Sequence, residues 1–88
     1  KDHRNIATSY SNIGLVYDDQ GKKDKTLKYY NKALDIRLKK LGKDHPQVAL
    51  PYNNIATLYE KQGKYNEAFE YYNKAFKIFK PTPTVFIW

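Results

Sequence analysis

Asn12 and Asn54 stand 42 residues apart in an 88-residue chain, and each carries an amide able to hydrogen-bond a ligand. An amide both donates and accepts, so a row of them can bridge the alternating N–H and C=O groups of an extended peptide backbone. The other reactive residue types fall short of a reaction. His3 and His45 each follow an aspartate, yet no H-x-x-x-H spacing, paired carboxylates or Ser/His/Asp set with a supporting glycine motif accompanies them. Both read as structural residues at helix starts. Ser9 and Ser11 are the only serines, and they lie in a helical pattern without a nucleophile elbow. The chain has no cysteine, which excludes a thiolate nucleophile, a disulfide scaffold and cysteine-based zinc or iron–sulfur sites. Gly21 and Gly63 are too sparse for a phosphate loop. The expectation is a non-enzyme with no catalytic residue, no metal and no cofactor.

Charge narrows the partners less sharply. Sixteen basic residues against nine acidic ones give a formal charge of +7, which suits anionic partners but also occurs on solvated helices. Lys22, Lys23, Lys25, Lys28, Lys32, Arg37, Lys39, Lys40 and Lys43 crowd one stretch, scattered around a helical projection as on a solvated face. Nucleic acid is disfavoured, because a single strand also needs exposed aromatics for stacking and most tyrosines here fall on core stripes. No apolar stretch approaches the roughly 20 residues that span a bilayer, and no signal-like segment follows Lys1. A soluble, cytoplasmic piece of a longer protein, without membrane contact, is expected.

The elements that must position Asn12 and Asn54 come from a duplication. At an offset of 42, Asp2-His3 falls on Asp44-His45 and Tyr29 to Ala33 falls on Tyr71 to Ala75; 16 of the 37 pairs from 2/44 to 38/80 are identical. So strong a match marks a stacked repeat. Within each unit, Tyr10, Ile13, Gly14 and Tyr17, and again Tyr52, Ile55, Ala56 and Tyr59, follow the i, i+3, i+4, i+7 spacing of an amphipathic helix. Gly21 and Gly63 stop these helices, and Asp24 and Asn66 are read as N-caps of the next ones. The second helices carry Leu27, Tyr30, Leu34 and Leu41, and then Phe69, Tyr72, Phe76 and Phe79. Leu41-Gly42 ends one and Pro81 the other. The coarse map is helices at about 4–20, 25–41, 45–62 and 67–80, with Tyr17, Tyr30, Ile55, Tyr59 and Phe69 buried. Pro51 breaks one local rule, since it removes the amide that should bond to Gln47, so a kink or a late start of the third helix is expected.

Projected at 100° per residue, Thr8, Asn12, Leu15 and Asp19 lie opposite the first stripe, with Leu50, Asn54, Thr57 and Lys61 as the matching set. Tyr10, Ile13-Gly14, Tyr17, Gly21, Thr26, Tyr30 and Ala33, repeated as Tyr52, Ile55-Ala56, Tyr59, Gly63-Lys64-Tyr65, Ala68, Tyr72 and Ala75, resemble the tetratricopeptide repeat. The 42-residue period, the link from Leu41 to Pro46 and Asn53-Asn54-Ile55-Ala56 look like its kinesin light chain type. The resemblance implies an all-α fold of two tandem helix-turn-helix repeats, a fragment of an α–α superhelical solenoid. It divides the chain into repeat one at 1–42, repeat two at 43–80 and an extended tail at 81–88. Lys23 and Thr26 depart from the family's large aromatic and alanine, so unit one is expected to pack less tightly.

The resemblance also implies that the first helix of each unit lines a concave groove. Thr8, Ser11, Asn12, Leu15, Asp19, Leu50, Asn53, Asn54, Thr57 and Lys61 would then face an extended peptide, with Asn12 and Asn54 holding its backbone. The expected function is a protein-interaction module, an adaptor for a protein or peptide partner. The alternative is self-association into a homo-oligomer, because two repeats bury little core and a terminal repeat normally needs a polar cap. Phe76, Ile78, Phe79, Phe86, Ile87 and Trp88 are the residues expected to seek apolar cover. Polyanion binding through the lysine-rich helix is the weakest reading.

Overall fold

A computed structural model describes residues 3–79, Phe79 by its backbone alone, and builds them from four helices. These are α1 (His3–Asp19), α2 (Lys23–Leu41), α3 (Pro46–Lys61) and α4 (Tyr65–Phe79), with no strand among the described residues. The all-α pair-of-hairpins architecture follows the duplicated stripes: α1 packs on α2, α3 packs on α4, and α2 also packs on α3 to join the two units.

The turns inside both units close identically. Gly21 and Gly63 adopt φ of 77° and 78°, where a side chain is strained. The Gly21 amide bonds to the Asp18 carbonyl and the Lys22 amide to that of Tyr17; the Gly63 and Lys64 amides repeat the pair on Glu60 and Tyr59. These bonds satisfy the last carbonyls of α1 and α3. The second helices start earlier than Asp24 and Asn66 would set them, so neither residue is an N-cap. The first helical carbonyls belong to Lys22 and Lys64, which accept the amides of Thr26 and Ala68 at 3.0 Å. Asp24 instead lies in the first turn of α2, where its charge suits the helix dipole.

The core lies across the junction of the units, with Tyr30 and Leu34 of α2 against Val48 and Ile55 of α3. Small residues let the helices meet: Ala7, Ala33, Ala49, Ala56, Ala68 and Ala75 are all buried. Gly14 matters most, because a Cβ there would stand 2.8 Å from two ring carbons of Tyr30. In unit two Ala56 occupies the equivalent place, and its partner Tyr72 is 36% exposed where Tyr30 is 4%. The expected burial therefore holds for Tyr30 and Ile55, while Tyr17 and Tyr59 are half-buried and Phe69 is 67% exposed. Phe69 sits on an outer face that no described helix covers. For the same reason unit one is not the looser of the two. Its Thr26 is fully buried with its hydroxyl donating to the Lys22 carbonyl, and Lys23 reaches Asp18.

α3 does not start late: it runs from Pro46 through Pro51 to Lys61. His45 caps it, its Nδ1 accepting from the Gln47 amide at 3.1 Å, and Pro46 opens the first turn, where a missing amide costs nothing. Pro51, fully buried, leaves the Gln47 carbonyl without its helical donor. Arg37 fills that role from α2. Its Nη1 donates to the Gln47 carbonyl and its Nη2 to Thr8 Oγ1, both at 3.4 Å. Arg37 is thus no member of a solvated basic face: it is 8% exposed. Burial pulls its pKa below the ordinary value.

Two outcomes are expected in urea unfolding. Arg37→Met should cost about 1–3 kcal/mol, the penalty of a part-buried carbonyl left unpaired, and clearly less in a Pro51→Ala background, where residue 51 regains its amide. An equal cost in both backgrounds would dismiss the pairing of Arg37 with the carbonyl freed by Pro51. Gly14→Ala should destabilise by roughly 1–3 kcal/mol of overpacking, against a propensity gain of about 1 kcal/mol.

Candidate functional site

α1 and α3 both adjoin α2, and two polar bridges link them. At their N-terminal ends Arg37 joins Thr8 to the Gln47 carbonyl; at their C-terminal ends Lys61 Nζ lies 2.7 Å from Asp18 Oδ2. Lys23 adds a second ion pair to Asp18 Oδ1 at 3.3 Å. The Asp18 carboxyl is held below its ordinary pKa chiefly by the hydrogen bond from Lys61, and that same bond raises Lys61.

The expected ligand-facing residues divide by what they already do. Thr8, Asn12, Leu15, Asp19, Leu50, Thr57 and Lys61 are exposed, while Ser11, Asn53 and Asn54 are half-buried. Thr8 accepts from Arg37, Lys61 is paired with Asp18, and Thr57 Oγ1 lies 3.1 Å from the Tyr72 hydroxyl, which donates to Glu60 at 2.8 Å. The side chains of Ser11, Asn12, Asn53 and Asn54 make no hydrogen bond among the described residues. Leu15 and Leu50, 50% and 52% exposed, flank these amides with apolar surface.

A second surface carries rings and cations. Tyr29 lies 5.9 Å from Tyr10 and 5.7 Å from Tyr17, and unit two repeats the triad with Tyr71 at 6.1 Å from Tyr52 and 5.7 Å from Tyr59. Over the first triad sit Lys22 and Lys25 on Tyr17, Lys28 on Tyr29 and Lys32 on Tyr10, 5.4 to 6.0 Å from the ring centroids. These lysines therefore have intramolecular partners. His45 is engaged as a helix cap, and no group of three or more His, Cys, Asp or Glu among the described residues could hold a metal. No helix among them is long and apolar enough to cross a membrane. Asp18 had no distinctive sequence signal, because its counterpart 42 residues on is the similar Glu60.

Residues 5–80 match the family model described as Tetratricopeptide repeat. The chain belongs to the tetratricopeptide repeat family. A search of curated proteins finds no match to it. Tetratricopeptide repeats are in general non-catalytic protein-interaction modules, which agrees with the coarse reading of the sequence. In this tetratricopeptide repeat chain Asn12 and Asn54 lie on the first helix of each unit, as the equivalent pair Asn31 and Asn73 lie on the second.

Asp18 gives a pH test. A carboxylate whose folded pKa is depressed contributes stability above its unfolded value of about 3.9, and loses it as pH falls through the folded value. The gap in melting temperature between the native chain and Asp18→Asn should be full at pH 6–7 and narrow progressively below about pH 4. A gap that does not narrow at all between pH 6 and pH 3 would show that Asp18 acts through packing and not through its charge.

Proposed function

We propose that the chain is a non-enzymatic, cytoplasmic adaptor that binds an extended peptide segment of another protein along the exposed side of α1 and α3. The observation that carries this reading is the pair Asn12 and Asn54, equivalent across the repeat, each with an unspent amide. A polar side chain at the surface costs little while free, and gains most when a ligand backbone supplies alternating donors and acceptors. Ser11 and Asn53 extend the row, and Leu15 and Leu50 offer apolar contacts to alternate side chains of the segment. Asp19 and Lys61 bound the row at the C-terminal ends of the helices; Lys61 is partly committed to Asp18. The 42-residue period and the Gly42-Lys43-Asp44-His45-Pro46 link support a kinesin light chain-like subtype, with the units dividing at 42/43 and a tail at 81–88.

Peptide ligands selected from a displayed random library supply the probe. Against the tightest of them, Asn12→Ala/Asn54→Ala should lose about 0.5–1.5 kcal/mol per amide, roughly 5- to 150-fold together, by isothermal titration calorimetry. Unchanged affinity with the helical circular dichroism intact would end the asparagine reading.

A further inference from the structure

The junction between the units can be compared with the exposed faces of α1 and α4, because every position has a counterpart 42 residues away. Inside, α2 presents Leu27, Tyr30 and Leu34 to α3, which answers with Val48, Ile55 and Leu58; Tyr30, Leu34 and all three α3 residues are buried. The counterparts of the α2 set are Phe69, Tyr72 and Phe76 on α4, and they are 67%, 36% and 61% exposed. The counterparts of the α3 set are Ile6, Ile13 and Val16 on α1, at 39%, 38% and 55%. The described helices therefore display, on α1 and on α4, both halves of the interface buried between α2 and α3.

Two further positions change in step. Ser9 stands where α3 has Pro51, so the amide lost in α3 is retained in α1, and position 79 is Phe where α2 has the carbonyl-capping Arg37. An end-to-end junction thus lacks both the freed carbonyl and the cation that serves it. The ion pair of the internal junction is altered less favourably: Asp18 and Lys61 correspond to Glu60 of one molecule and Asp19 of the next, two like charges.

We propose that a second copy of this chain docks head to tail, the Ile6/Ile13/Val16 face of one copy covering the Phe69/Tyr72/Phe76 face of the other. The match of both apolar faces to the established α2–α3 interface favours this occupant. The contact is heterologous and does not close on itself, so assembly proceeds beyond the dimer as concentration rises. It also continues the row of Asn12 and Asn54 from one copy to the next. The Glu60–Asp19 repulsion keeps it weak and makes it salt-sensitive.

Sedimentation equilibrium on the 88-residue chain tests the proposal with Ile13→Asp, which spoils one face, and Phe76→Asp, which spoils the other. The native chain should show a weight-average mass that climbs with concentration, and more steeply in 1 M salt. Each variant alone should be monomeric, and their equimolar mixture should stop at a heterodimer, having one intact face of each kind. Asp19→Lys, at an exposed position outside the core, should tighten association about three- to tenfold at low salt by replacing a repulsion with an ion pair. A native chain that stays monomeric up to millimolar concentration overturns the proposal, as does a dimer that survives Ile13→Asp, which would place α4 on α4. Should either aspartate variant lose its helical circular dichroism, Asp19→Lys decides alone: no tightening overturns the proposal.

Discussion

Arg37 leaves α2 and reaches two other helices at once, Thr8 on α1 and the Gln47 carbonyl on α3, and the relation between the units is tied to that reach. The need for it originates in a single residue. Pro51 sits in the buried wall of α3, and the part-buried Gln47 carbonyl that it leaves without a helical donor is costly to leave unpaired. A guanidinium meets the need from a neighbouring helix, with its charge partly desolvated and its Nε buried without a partner. The relative placement of α1 and α3, and so of the asparagines they carry, is therefore secured by polar contacts at both ends. The apolar core lies between α2 and α3.

Much of this was legible in the sequence because stripes and stops act locally. Tyr10, Tyr17, Tyr52 and Tyr59 marked the inner faces of α1 and α3, and Gly21 and Gly63 closed the turns with the expected left-handed backbone. What periodicity could not convey was which stripes have a neighbour. Phe69 and Phe76 share the pattern of Leu27 and Leu34, yet exposure differs because α3 covers one pair and no described helix covers the other. The tail residues Phe86, Ile87 and Trp88 and the Phe79 side chain, expected to seek apolar cover, lie outside the described residues. Arg37 was misread for a related reason: a basic residue among lysines looks solvated unless the carbonyl ten residues ahead is known to need a donor. Asp24 and Asn66 suited the cap position by type, but the helices began at the carbonyls of Lys22 and Lys64.

The candidate site was legible only as a set of positions. Helical projection put Asn12 and Asn54 away from the apolar stripes, and their amides are uncommitted. It did not foresee that Thr8, Thr57 and Lys61 in the same rows hold other helices. The positive charge likewise proved less diffuse than its count suggested. Four of unit one's lysines lie over tyrosine rings and a fifth pairs with Asp18, whereas unit two has Glu67 and Glu70 where unit one has Lys25 and Lys28. The two halves of the chain therefore differ electrostatically more than their helices do.

The contrast between Gly14 and Ala56 gives the two units a fixed order. With no Cβ at residue 14, the Tyr30 ring lies where a methyl would stand 2.8 Å away; Ala56 carries that methyl in unit two, where the Tyr72 hydroxyl bonds to Thr57 and Glu60. Tandem units are often regarded as interchangeable modules that can be shuffled or recombined. Here one methyl group distinguishes them, because a Cβ at residue 14 would stand 2.8 Å from the Tyr30 ring. A chain with the units transposed would keep its helices and lose the seat of its central tyrosine.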